Sequence, residues 1–587
     1  MPVPSDDELA RNLARGLCPR PCQVRLTAGR LPLPPVLTWA GPDEVGDALT
    51  ILTERLAPAL DFVRTTQQPP RRALEDEDLE GTADQPRTGA EEPFSPTDTP
   101  PTSPGVTTPT PSDTGVVTDS ADIPPGSVSP ADPTLIVDLD PTLATEAYHI
   151  NIDSQIHLTA GSSQGARWAV QTLLQLLTPW VYGPGPLALE QLWLPQGIVD
   201  DEPRHPWRGA HLDVCRHFLP ASFIMDFLDV LAMHKLNRLH LHLTDDQGWR
   251  LPVPEWPRLT TVGAWRPGTV RGHQPPPDEN DCDDVAVHDN VPHGGAYTAD
   301  ELRAIDERAR LLGITVVPEV DLPGHTESVV AAYPELGCLG QDDHPAPITH
   351  PRTAFGISEH HINLTDDALR LCRDALDAVM EIFPTSPIHI GGDECPGHEW
   401  FRHEPTRERL AGLGITGPHE AQAWFERQVC DHVTGAGREV IAWDEVLEAG
   451  APPEVTVMVW RDADDLARAA QLGHDVVAAP ARHTYLDHGI SAGPQAPVTI
   501  DAPLTMDDVA GLHDVLAAVD SPHLLGGQFQ LWTEYLRTPA QVEDAAFPRG
   551  TSIAEQLWTN EPARPIAELE AQTLSLIHIS EPTRRYA

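Results

Sequence analysis

The segment Ile388-His389-Ile390-Gly391-Gly392-Asp393-Glu394 closes a short apolar run with two glycines and two adjacent carboxylates. Apolar residues bury a strand, glycines let a ligand approach the backbone, and neighbouring carboxylates push each other's pKa values apart. One carboxyl can then hold a proton near neutrality while the other stays ionised, which is the equipment of acid/base catalysis. Comparable residues end other apolar runs: Asp245 in Thr244-Asp245-Asp246-Gln247-Gly248-Trp249-Arg250, Asp321 and His325 after Glu319, Trp443 before Asp444-Glu445, Trp460, Tyr485 with Asp487, and Trp532 with Glu534. Three tryptophans beside carboxylates describe an aromatic cup with an acidic rim. A sugar asks for that combination, because its C–H faces stack on indole while its hydroxyls need directional, charged partners.

Gathering these residues in one place requires elements that end side by side, and from about residue 204 the chain repeats strand, loop and helix. Apolar strands are predicted at 209–213, 238–243, 314–320, 388–391, 440–443, 455–460, 475–479 and 527–532, with helices at 222–234, 299–312, 366–383 and 418–434. The pattern predicts an α/β fold, a (β/α)8 TIM barrel, whose active site is built from the C-terminal ends of its strands. The spacing between the fifth and sixth strands is too short for a full helix. That between the second and third is long, and its Gly263-Ala264-Trp265-Arg266 and acidic 278–284 stretches are expected to cover a substrate.

Before the barrel, short strands at 34–39, 135–139 and 149–152 and a helix at 166–177 predict a small α+β domain, giving an N-terminal unit of residues 1–203 and a barrel of 204–573. Residues 68–134, rich in Pro, Thr, Ser, Asp and Glu and without apolar periodicity, are expected to form a disordered insert. Residues 547–558 read as the start of the last barrel helix, whereas 574–587 do not continue it and form a tail of doubtful origin.

Composition narrows the function classes. The 587 residues carry a formal net charge of -49, which opposes binding to a phosphate backbone, so no nucleic-acid partner is expected. No apolar stretch reaches the roughly 18 to 20 residues of a membrane span, so no membrane partner is expected. The start, Met1-Pro2-Val3-Pro4-Ser5-Asp6-Asp7-Glu8, has neither a basic n-region nor an apolar h-region; the expectation is a cytoplasmic protein, with secretion left open. The 8 cysteines lack paired CxxC spacing, with Cys18 and Cys22 a lone Cys-x3-Cys, and read mostly as reduced thiols.

Four segments, Arg208-Gly209-Ala210-His211-Leu212-Asp213-Val214-Cys215-Arg216-His217-Phe218, His240-Leu241-His242-Leu243-Thr244-Asp245-Asp246-Gln247-Gly248-Trp249, Val320-Asp321-Leu322-Pro323-Gly324-His325 and Gly391-Gly392-Asp393-Glu394, together resemble the β-N-acetylhexosaminidases of glycoside hydrolase family 20. The resemblance covers the barrel and, more weakly, the domain before it. It implies substrate-assisted retaining hydrolysis of a terminal β-linked N-acetylhexosamine through an oxazolinium intermediate, with no cofactor and no metal. It further implies that Glu394 is the general acid/base, that Asp393 orients and stabilises the acetamido group, and that Tyr485 hydrogen-bonds the acetamido oxygen. Trp443, Trp460 and Trp532 are then the pocket walls, Arg208, Asp487 and Glu534 grip the sugar's far hydroxyls, and Asp245, Asp321 and His325 stand behind the catalytic pair. GlcNAc or GalNAc as terminal sugar, the linkage and the oligomeric state stay open. Two rivals exist: a zinc amidohydrolase built on His240 and His242, and a sugar-binding protein on an inactive barrel. For the histidine pair itself, core residues bonded to neighbouring strands are the simpler reading.

Overall fold

The computed structural model describes residues 6–65, 133–177, 179–182, 188–189, 192–273, 287–338, 348–448, 450–491, 496–561, 564 and 568–569. The expected insert up to residue 132, the acidic 278–284 stretch and the tail at 574–587 lie outside the described residues.

Seven strands, β1 (Gln23–Pro32), β2 (Val36–Ala40), β3 (Asp61–Arg64), β4 (Leu135–Leu139), β5 (Tyr148–Ile152), β6 (Ile156–Ala160) and β7 (Trp193–Asp201), form one mixed sheet in the order β1-β7-β5-β6-β4-β2-β3. Burial alternates along β5 and β6, where Tyr148, Ile150, Ile152, Ile156, Leu158 and Ala160 turn to one side. The helix Ser163–Leu176 packs there: Ala166, Ala169, Val170, Leu173 and Leu174 make its buried stripe, and the Ser162 hydroxyl caps it by accepting from the Gln164 N–H at 3.0 Å.

The barrel begins with β8 (Trp207–Asp213) and β9 (Arg238–His242). Two short ribbons follow, β10 (Thr244–Asp245) with β11 (Gly248–Trp249) and β12 (Trp265–Arg266) with β13 (His293–Gly294), the second taking up part of the long loop. Then come β14 (Thr315–Glu319), β15 (Ile388–His389), β16 (Val440–Trp443), β17 (Thr456–Val459), β18 (Val476–Ala478) and β19 (Leu524–Phe529), all parallel and closed on themselves with β8 and β9. A single 3-10 turn, Asp444–Leu447, stands between β16 and β17, as their short spacing predicts. Helix Ala299–Leu312 carries a capping box from Thr298 and Glu301, and ends at Gly313 in the left-handed conformation. No described helix is long and apolar enough to cross a membrane.

Strand residues alternate between two cores. Leu212, Leu239, Leu241, Val316, Ile388, Val440 and Val457 join the layer between strands and helices, whereas Val317, Ile441, Trp443, Met458, Val477, Tyr485 and Trp532 fill the barrel. Polar residues share that interior. The Glu319 carboxylate is approached by His242 Nδ1, by His240 Nε2 at 3.1 Å, by His389 Nδ1 at 3.0 Å and by Trp443 Nε1 at 2.9 Å. His240 Nδ1 also meets the Gln528 amide at 3.0 Å.

The structure corrects the expectation for Arg208. This residue is the second of β8, where it pairs with Gly527, so it lies at the N-terminal mouth of the barrel, opposite the strand ends. Its guanidinium is fully buried, donates to the Lys235 and His205 carbonyls and to Glu146 of the N-terminal sheet region, and lies 4.9 Å from the Trp558 ring. It fastens the sheet to the barrel and cannot reach a sugar at the other end. Arg208→Met, which removes the guanidinium from Glu146 and from two backbone carbonyls, is expected to cost about 1–3 kcal/mol of folding stability, the usual scale for leaving buried polar groups unpaired. A melting temperature equal to the wild type's would contradict this placement.

Candidate active site

The strand β15 stops at His389, and the backbone after it turns left-handed at Gly391 (φ 72°), Gly392 (φ 101°) and Glu394 (φ 47°). Glycine tolerates this geometry and Glu394 does not readily do so. Gly391 is needed for a second reason: a Cβ there would lie 1.8 Å from Asp321 Oδ1. The turn is tied down by the Gly392 N–H, which donates to Asp321 Oδ1 at 3.3 Å, and by the Gln422 side chain, which donates to the Gly392 carbonyl at 2.7 Å. Adjacent side chains on a strand would diverge, but beyond the end of β15 they need not. Asp393 Oδ2 and Glu394 Oε2 stand 3.5 and 3.4 Å from the same His325 Nε2.

The other ring nitrogen of His325 faces Asp245 Oδ1 at 3.5 Å and Asp246 Oδ2 at 3.3 Å. Burial works against a charged imidazole here, yet the Asp245, Asp246 and Glu394 carboxylates hold His325 well above its ordinary value, so it is an imidazolium at neutral pH. Burial likewise works to raise Glu394, but the hydrogen bond and charge of His325 outweigh it and hold that carboxyl below its usual range. For Asp393 the balance differs: burial, together with the Glu319 and Glu394 charges, overcomes His325 and pushes the carboxyl up to about 6. Burial and the Asp393 charge place Asp321 well above the usual carboxylate range.

Asp393 and Glu394 open on a cavity of about 320 Å³ at the C-terminal ends of the strands. Trp443, Trp460, Trp532 and Tyr485 wall it. Trp443 ends β16 and is only 1% exposed, its Nε1 fixed by Glu319; Trp460 follows β17 and donates to Glu445 Oε2 at 3.2 Å. The Tyr485 ring is 6.2 Å from Trp460 and 6.3 Å from Trp532. At the far side stand Asp487, Glu534 and Arg216. Burial pushes Glu534 up to about 7 despite Arg216, and burial with the Glu534 charge drives Asp487 well above its usual value. Both Asp487 oxygens and Glu534 Oε2 are buried without a partner among the described residues, so they are free to meet ligand hydroxyls.

The structure thus gathers Asp393, Glu394, Tyr485, Trp443, Trp460, Trp532, Asp487 and Glu534 in one cavity, with Asp245, Asp321 and His325 behind them and Arg208 elsewhere. Arg216 takes the place expected of Arg208. The turn after β8 aims it: Asp213 Oδ1 accepts the Cys215 and Arg216 N–H groups at 2.6 and 3.2 Å. Its guanidinium meets Asp245 Oδ2 at 2.8 Å and lies 4.7 Å from the Trp532 ring. The rule that chemistry sits at strand ends points to Arg216, three residues past Asp213, and away from Arg208.

His240 and His242 turn into the barrel. His242 spends both nitrogens, one on Glu319 and one on Asp245 Oδ2 at 2.9 Å. The pair bonds to neighbouring strands, and His242, held well above its ordinary value against burial by the Glu319 and Asp245 carboxylates, is the counter-charge for Glu319.

The family model described as glycosyl hydrolase family 20, catalytic domain, matches residues 205–561, and that for domain 2 of the same family matches residues 14–201. A beta-hexosaminidase of Porphyromonas gingivalis is 34% identical over 429 residues, 72% of this chain and 52% of that protein; the chain therefore spans about half of that relative's length. A beta-hexosaminidase of Akkermansia muciniphila is 30% identical over 429 residues, 71% of this chain and 80% of the relative. An exo beta-N-acetylglucosaminidase of Vibrio harveyi, solved with N-acetylglucosamine, shares the fold with a TM-score of 0.72 at 24% identity, over 96% of this chain and 77% of that one.

Because Gly391 carries both the left-handed turn and the approach to Asp321, Gly391→Ala is expected to shift the carboxylate pair and lower kcat on the order of 10²-fold, the scale of an ångström of misplacement. A folded variant, checked by circular dichroism, with an unchanged kcat would show that the turn does not position the pair.

Proposed function

The chain belongs to glycosyl hydrolase family 20, and on that premise we propose that it is a retaining exo-β-N-acetylhexosaminidase, removing terminal β-linked GlcNAc or GalNAc from oligosaccharides or glycoconjugates. The observation that carries this reading is the meeting of Asp393 and Glu394 at one His325 nitrogen, at the edge of a tryptophan-walled cavity. Two carboxylates that share one partner are ill-suited to flank an anomeric carbon as acid and opposed nucleophile, and a substrate nucleophile removes the need.

In this mechanism the sugar stacks among Trp443, Trp460 and Trp532, with its hydroxyls on Arg216, Asp487 and Glu534. The 2-acetamido oxygen, oriented by the Tyr485 hydroxyl, attacks C1 as the bond from C1 to the leaving oxygen breaks and Glu394 delivers a proton to that oxygen. Asp393, as the carboxylate, accepts the acetamido N–H and stabilises the positive charge that gathers there in the oxazolinium ion. Water then opens the ring at C1, giving its proton to Glu394 and restoring the retained anomer. In the free site Glu394 is ionised beside a charged His325; a sugar that displaces water from Glu394 raises its carboxyl and draws the proton from His325 Nε2, 3.4 Å away. Residues 1–203 and 204–573 are, in this reading, the accessory α+β domain and the catalytic barrel.

Initial rates on the p-nitrophenyl β-glycosides of GlcNAc and glucose test this. The first is expected to be hydrolysed and the second hardly at all, since it lacks the nucleophile. Because Asp393 must be ionised and its carboxyl is pushed up to about 6, kcat/KM falls as pH drops through about 6, and the residual activity of Asp393→Asn lacks that limb. Equal rates on both sugars would overturn the reading.

A further inference from the structure

The sugar cavity does not end at Glu394. A second cavity of about 310 Å³ shares Glu394 and Ile357 with it, and a third of about 340 Å³ shares His419 and Glu448 with the second. The three cavities thus follow one another from the tryptophan pocket past Glu394 to helix Pro418–Gly435. An acid protonates the oxygen between the sugar being cleaved and its leaving group, so with the sugar on one side of Glu394 the leaving group must depart on the other, into the second cavity. Gln422, His419, Glu445 and Glu448 on its walls suit a polyhydroxylated group. Burial and the Asp393 and Asp444 charges push the Glu445 carboxyl up to about 9, so it can donate as well as accept. Arg461 is a strut in this wall, bound to Asp444 at 3.1 Å and Glu448 at 2.6 Å. The third cavity adds an indole, Trp424, half-buried and held by the Arg409 guanidinium 5.7 Å from its ring.

We infer that the second and third cavities bind the two sugars following the cleaved residue, so that the preferred substrate is a β-linked oligosaccharide of at least three units, with Trp424 as the platform for the third. This rests on the proposed activity and specifies its substrate.

The test compares kcat/KM on β-1,4-linked GlcNAc dimer, trimer and tetramer, with p-nitrophenyl β-GlcNAc as a reference. The wild type is expected to gain on the order of fivefold to tenfold from dimer to trimer, the effect of one stacked ring, and nothing from trimer to tetramer. Trp424→Ala and Trp424→Leu, the latter keeping apolar bulk against the helix, should reduce the trimer-to-dimer ratio to about one. Equal values for dimer and trimer in the wild type, or a ratio preserved in both variants, would overturn the groove while hydrolysis of the p-nitrophenyl glycoside left the activity standing. Loss of that hydrolysis in the wild type would overturn the activity itself.

Discussion

A carboxylate buried at the centre of the barrel, Glu319, constrains everything above it. Removing such a charge from water costs several kcal/mol unless good geometry compensates it. Here compensation comes from three other strands: His240 and His242 on β9, His389 on β15 and Trp443 on β16. Burial alone would raise the Glu319 carboxyl, but the His242 charge and the contacts with His389 and His240 hold it well below its ordinary value, and Glu319 in turn holds His242 well above its own against burial. The network then leads outward. His242 passes to Asp245, Asp245 to Arg216 and His325, and His325 to Asp393 and Glu394. The electrostatics of the cavity are therefore set from the floor of the barrel, and the same contacts that offset one buried charge orient Arg216 and Glu394.

The second constraint is conformational. Left-handed φ values at Gly391, Gly392 and Glu394, and at His325 facing them (φ 49°), cluster within one site. Such conformations cost free energy and persist only where surroundings over-determine them. Asp321 and Gln422 supply that from two sides, and Glu426 accepts from Gln422 at 2.8 Å to hold the brace itself. The turn brings two consecutive carboxylates to one imidazole, a geometry a continued strand would not give.

The barrel was legible because its strands are short apolar runs separated by helices with capping signals, such as Thr298 to Glu301 before Ala299–Leu312. The eighth strand reads as 527–532 but runs Leu524–Phe529, because the Gly526-Gly527 pair resembles a turn while it in fact lies within the strand, paired with Trp207 and Arg208. In the N-terminal sheet, β1 alternates exposed and half-buried residues and carries no apolar run to mark it. The aromatic and acidic members of the site followed from their places at strand ends. Arg208 did not, because a motif with arginines at both ends leaves open which end faces the cavity, and only the direction of β8 decides for Arg216. The Glu319 network was illegible for a different reason: it joins residues up to 124 apart in the chain, and nothing local marks them as partners.

In the proposed reaction Asp393 stabilises a cyclic cation formed by the substrate's own acetamido group. The most direct measurement is the dissociation constant of a thiazoline analogue of that ring, for the wild type and for Asp393→Asn. The wild type is expected to bind the analogue at least about 10²-fold more tightly than free N-acetylglucosamine, as befits a mimic of a charged intermediate, and Asp393→Asn to lose most of that advantage. An analogue bound no more tightly than N-acetylglucosamine, with Asp393→Asn changing only KM, would show that the acetamido group is merely recognised and that an enzyme carboxylate is the nucleophile.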